Sequence, residues 1–257
     1  DFPDDLVCQT DFDFADFAPS VFWQWEGADI DGDTFANVLS IPATGNLDAS
    51  SDGSPEIAVI AYNDGFGSNE AIVVINGTDG TTRYVNREVN VFANNHIAVA
   101  NVDDDAPLEM AIPLNNGIGI LDDIVNCPNP DSSNDCFLWI YGDDGNENGT
   151  LDRQLDSGAP GFADFNQDGE VEMYVGSVVF NARTGDVIAD GGSGSAADGG
   201  LSNQYIAAAE DVDADGVLEL LTGDCAWDVD FQNNQLDEVW CSNEFSQGFP
   251  GVADIVD

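Results

Sequence analysis

The 257-residue chain carries 50 Asp and Glu residues against four basic ones, for a formal net charge of −46. That balance excludes nucleic acid and anionic membrane surfaces as electrostatic partners. With 43% hydrophobic residues the chain can bury a real core, so it is not a disordered acidic tail.

In chain order, the aromatic residues Phe22, Trp23 and Trp25 alternate with Gln24 and Glu26 and read as an early packed strand. The stretch Asp29-Ile-Asp31-Gly-Asp33 has spaced oxygen donors, but Thr34 stands where a calcium loop needs glycine, so a solvated turn is expected. A first acidic loop follows at Asn46, Asp48, Asp52 and Glu56, with two extra residues after Asp48. Apolar runs at Ala71–Ile75 and a turn phrase at Asn76–Gly80 predict strands joined by tight turns. The single histidine, His96, leads into Ile97–Ala100 and reads as a hydrogen-bonded strand residue. The second loop is Asn101, Asp103, Asp105 and Glu109, with Ala106 in the glycine position.

Beyond the strand-like run Gly117–Leu121, an irregular segment is bracketed by Cys127 and Cys136, and a loop of EF-hand type runs through Asp144, Asn146, Asn148 and Asp152. The third loop is the fullest: Asp164, Asn166, Asp168, the carbonyl of Glu170, and Glu172, with Gly169 at the turn. After the strand Ser177–Phe180 and the glycine-rich stretch Gly191–Gly200, read as a flexible connection, comes the fourth loop: Asp211, Asp213, Asp215 and Glu219, with Gly216 at the turn. Cys225 and Cys241 flank the next segment, and Asp254 starts a partial fifth loop.

A hard cation such as Ca²⁺ takes six to eight oxygens at roughly 2.3–2.6 Å, offered by loop positions 1, 3, 5, the carbonyl of 7 and a terminal carboxylate, with glycine at 6 for the turn. Oxygen donors without thiolate or a second imidazole select Ca²⁺ over zinc. Bound cations would also relieve the repulsion among so many carboxylates. Two short-range disulfides, Cys127–Cys136 and Cys225–Cys241, are the economical pairing in an oxidising compartment, with Cys8 left for a partner outside this segment or another subunit.

The loops begin near 46, 101, 164, 211 and 254, intervals of 55, 63, 47 and 43 residues, which is the spacing of four-stranded propeller blades. Residues 1–257 are thus expected to form one all-β region, a partial β-propeller whose chain continues past 257 and whose leader has been removed. The phrases "ADFNQDGEVEMYVGS" and "AEDVDADGVLELLTG" resemble the FG-GAP/VCBS repeats of integrin-type β-propellers and of secreted bacterial proteins. Glu stands at position 9 where the integrin-like form has Asp.

The resemblance implies a calcium-binding, secreted or cell-surface module that is structural, adhesive or binding, with protein, carbohydrate or further copies of itself as partners and no membrane insertion. No catalytic constellation stands out, so the expectation is that the chain is not an enzyme. The alternative is a polysaccharide lyase or hydrolase on a propeller scaffold, which would need Arg or His opposite carboxylates.

Overall fold

A computed structural model describes residues 20–48, 53–63, 69–91, 93–103, 105–114, 117–122, 125, 136–142, 158–191, 206–223, 225–242 and 250–251. Cys8, Asp52, Cys127, the loop from Asp144 to Asp152, the stretch 192–200 and the partial loop at Asp254 lie outside them.

Among the described residues every regular element is a strand. A hairpin of β1 (Ala28–Ile30) and β2 (Asp33–Phe35) comes first. Its turn residue Asp31 has φ 52°, and Asp33 is paired with Arg87 at 3.3 Å. The first sheet contains β3 (Asn37–Val38), β4 (Ala43–Gly45), β5 (Glu56–Tyr62), β6 (Glu70–Asn76) and β7 (Thr82–Asn86), with both β3 and β4 paired to β5. Three four-stranded antiparallel meanders follow. The second sheet is β8 (Ala98–Ala100), β9 (Glu109–Leu114), β10 (Gly117–Leu121) and β11 (Phe137–Gly142). The third is β12 (Gly161–Ala163), β13 (Glu172–Val175), β14 (Val178–Asn181) and β15 (Val187–Asp190). The fourth is β16 (Ala207–Glu210), β17 (Glu219–Thr222), β18 (Cys225–Asp230) and β19 (Gln235–Cys241).

The central strands read as unbroken apolar runs because both of their faces are covered. In β5 and β6, Ala58, Ile60, Ile72 and Val74 face the second sheet, while Val59, Ala61, Ala71, Val73 and Ile75 face the layer under Trp23, Trp25 and the first hairpin. The same two-residue alternation splits β9 and β10. Met110, Ile112, Leu114 and Leu121 join the layer against the first sheet, and Ala111, Ile118 and Ile120 the layer against the third. Phe165, Tyr174 and Val179 pack with Leu220 between the third and fourth sheets. The sheets therefore stack in series, one apolar layer between each pair.

The strands that lead into the acidic stretches lie side by side: β4 against β8, β8 against β12, and β12 against β16. A parallel bridge, Ala159 to Ile206, ties the entries to β12 and β16. Among the described residues no strand pairing closes the series into a ring.

Cys225 and Cys241 form a disulfide across β18 and β19. Cys136 is also disulfide-bonded. The 225–241 bond spans 16 residues, a loop whose closure is worth about 3 kcal/mol in the chain-entropy account. Reduction, or a Cys225→Ser/Cys241→Ser double variant, is expected to lower the urea midpoint accordingly, and an unchanged midpoint would show that β18 and β19 hold without it.

Candidate metal centres

The acidic loops join paired neighbouring strands, β4 to β5, β8 to β9, β12 to β13 and β16 to β17, so strand pairing fixes where each begins and ends. In the third loop, Asp164 turns both oxygens inward: Oδ1 accepts the Asp168 N–H at 3.1 Å and Oδ2 the Gly169 N–H at 3.0 Å. Asn166 Oδ1 accepts the same Asp168 N–H, and Asp168 Oδ1 accepts that of Glu170. The fourth loop repeats the scheme with Asp211 on Asp215 and Gly216, Asp213 on Asp215, and Asp215 on Val217. The backbone matches as well. Gly169 and Gly216 have φ of 94° and 93°, and Gln167 and Ala214, two residues earlier, 59° and 63°. Glycine at position 6 is therefore a conformational requirement of the tight wrap.

The terminal glutamate explains why Glu replaces Asp at position 9. In all four loops its Oε2 reaches back across the hairpin to accept the position-2 N–H: Glu56 from Leu47 at 2.9 Å, Glu109 from Val102, Glu172 from Phe165 at 2.9 Å and Glu219 from Val212 at 2.7 Å. All four glutamates are at most 3% exposed. In Glu109 and Glu219 the second oxygen, Oε1, is buried and accepts nothing. A buried carboxylate oxygen without a donor is costly unless a cation meets it. In the fourth loop Asp211, Asp213, Asp215 and Glu219 bring one oxygen each within 4.8 Å of the others. This all-oxygen, strongly anionic set fits a calcium ion, which would supply the charge that the orphaned oxygen lacks.

The four loops are not equivalent. In the first, Asp48 is 8% exposed and its carboxylate is taken by the Arg83 guanidinium from β7. In the second, Asn101 stands at position 1 and donates its amide to the Asp105 carbonyl at 2.8 Å. Asp103 and Glu109 are gathered there with Asp122, just past β10, which the sequence reading did not single out. Neighbouring loops also touch. Gln167 of the third donates to the Gly216 carbonyl of the fourth, and Arg183 of the β14–β15 turn donates to the Asp103 carbonyl of the second at 3.2 Å.

Burial, reinforced by the neighbouring aspartates, pushes Glu109 and Glu172 up to about 7 from 4.5, and Glu219 upward too. A carboxyl raised by folding adds stability that is complete below its unfolded value and lost as pH rises through its folded one. Metal-free protein is therefore expected to melt higher near about pH 5 than near about pH 8, losing that advantage between about 4.5 and 7. Calcium is expected to reverse the order, because it needs the ionised oxygens. A chelated sample that melts higher at the alkaline end would contradict this.

His96 Nδ1 accepts the Ile41 N–H at 3.0 Å, and burial holds its pKa below the ordinary value. Its lone pair is thus spent on backbone. Among the described residues no helix is long and apolar enough to cross a membrane.

No protein-family model matches the chain, and no curated protein does. Solved structures do match. One is the biofilm matrix protein Bap1 of V. cholerae, with TM-score 0.58 and 16% identity over 86% of this chain and 33% of that one. Another is the rhamnogalacturonan lyase PL11 of Bacillus licheniformis, with TM-score 0.47 and 18% identity over 84% and 44%. A third is the rhamnogalacturonan lyase YesW, with TM-score 0.37 and 15% identity over 85% and 44%. The chain thus spans less than half the length of each.

Two sequence expectations are corrected by these findings. The resemblance to FG-GAP/VCBS repeats does not stand, since no family model matches and the similar structures are a biofilm matrix protein and lyases. The phrase that carried it is what a hairpin needs in order to converge oxygens, so it can arise without common descent. The expectation that the chain is not an enzyme is likewise withdrawn, because lyases stand among the matching structures.

Proposed function

We propose that this chain is a segment of an extracellular, calcium-stabilised β-propeller that engages polysaccharide or protein in a surface or matrix assembly. The observation that carries this reading is the buried glutamate repeated in four successive sheets, each spending one oxygen on the same loop N–H. Two of them have a second oxygen that lacks a donor. Such sites suit the higher free calcium outside cells, and the Cys225–Cys241 disulfide suits the same compartment. The side-by-side run of β4, β8, β12 and β16 across four stacked sheets supports an arc of blades around an axis. The fold likeness to Bap1, described as a biofilm matrix protein, supports a matrix setting.

With so few arginines, contact with an acidic glycan would weaken through charge repulsion unless cations intervene. Immobilised chain is expected to retain matrix polysaccharide in millimolar calcium and to release it in chelator. Equal retention without calcium, or none with it, would remove the calcium-dependent binding role.

A second reading, a polysaccharide lyase or hydrolase on the same scaffold, is favoured by one feature. An open polar cleft lined by Asn69, Glu70, Arg87, Glu88 and Asn90 sets a guanidinium among carboxylates, and Glu70 Oε1 there is buried without a partner. Arg87 would neutralise a uronate carboxylate and Glu70 would accept a proton. Incubation with a uronic-acid polysaccharide should then produce the ultraviolet absorbance of an unsaturated sugar, abolished in Arg87→Gln. No absorbance with any uronate polymer would rule out the lyase.

A further inference from the structure

The geometry points to Asp122 as a metal ligand of the second loop, supplied from across the sheet in place of the carboxylate that this loop lacks at position 1. This inference rests on the calcium reading above and deepens it for one site. Where the third and fourth loops begin with Asp164 and Asp211, the second begins with Asn101, whose amide is turned to the Asp105 carbonyl. The Asp105 N–H donates to Asp103 Oδ1 at 3.2 Å, as the Asp215 N–H does to Asp213 Oδ1 in the fourth loop.

The missing charge is restored from elsewhere. β9 and β10 pair antiparallel with Met110 opposite Leu121, which carries the register on to Glu109 and Asp122. Asp103, Glu109 and Asp122 place one carboxylate oxygen each within 4.8 Å of one another. Three carboxylates at that separation repel one another unless a cation joins them.

A second observation points to the ion. Glu109 is fully buried, its Oε2 accepts the Val102 N–H, and its Oε1 has no donor. The ligands are all oxygen, so the ion is a hard divalent cation of the calcium class. The Asp122 N–H donates to the Cys136 carbonyl at 2.9 Å, so the ion would also fasten the entry to β11 to the loop between β8 and β9. This makes the second site a clasp over three strands, whereas the fourth draws its gathered carboxylates from a single hairpin.

Calcium titration calorimetry of the full chain, with Asp122→Asn and Asp215→Asn variants, tests the assignment. Asp122→Asn is expected to lose one binding event relative to wild type, or to weaken it on the order of tenfold or more. Asp215→Asn is expected to lose a different event, from the fourth loop, which Asp122→Asn retains and which thereby reports that the variant is folded. If Asp122→Asn binds calcium as wild type does, the cross-strand ligand is wrong and the loop reading stands. If wild type binds no calcium, both fall.

Discussion

Chelation is expected to lower the melting temperature of this chain by roughly 8–16 °C, and calcium to restore it. A site held at ten times its dissociation constant adds about 1.4 kcal/mol by mass action, so the second, third and fourth loops together contribute about 4 kcal/mol. Each kcal/mol moves the midpoint of a chain of this size by about 2–4 °C. The first loop is left out of that sum because Arg83 already sits on Asp48. Sodium chloride at matched ionic strength should substitute only in part. It screens the exposed carboxylates, but it does not meet the buried Oε1 atoms of Glu109 and Glu219. Superimposable calorimetric traces in chelator and in calcium would mean that the acidic loops are solvated turns.

What could be read from the sequence was local. Strands such as Ala71–Ile75 and Ser177–Phe180 announce themselves by apolar runs between turn phrases, and they appear in the structure as β6 and β14. The oxygen spacing of the third and fourth loops likewise lies within nine residues, and the loop hydrogen bonds follow it. Asp122 could not be read in the same way. It reaches Glu109 through strand pairing, and nothing in its own neighbourhood marks it. Arg83 was missed for the same reason: it lies 35 residues from Asp48 and meets it only because β7 returns to the first sheet. The family resemblance failed because it rested on this local chemistry alone. A short run of Asp, Asn and Gly fixes how a hairpin turns and what it can bind, but not which protein the hairpin belongs to. The position-9 glutamate, which departed from the integrin-like pattern, has a structural cause in the reach to the position-2 N–H that an aspartate would be too short to make.

Phe180→Ala is expected to cost about 3–5 kcal/mol, as large aromatic truncations in a closed core do. Phe180 is fully buried between the second and third sheets, stacked on Trp139 at 5.6 Å and edge-on to Tyr141 at 5.2 Å. Trp139 in turn donates its indole N–H to the Ala182 carbonyl, so the ring sits beside a polar tie between β11 and the β14–β15 turn. The sheets stack in series, each apolar layer joining only its two neighbours, and stability in such arrays divides into units and the interfaces between them. Emptying this layer should therefore uncouple the first two sheets from the last two and broaden a single melting transition into two. Phe35→Ala removes an equally buried ring, but from the layer outside the first sheet. It should cost a similar amount while leaving the transition single. If both variants melt in one equally sharp step, cooperativity runs through the whole array, and the inter-sheet layer is not the weak seam that the stacking implies.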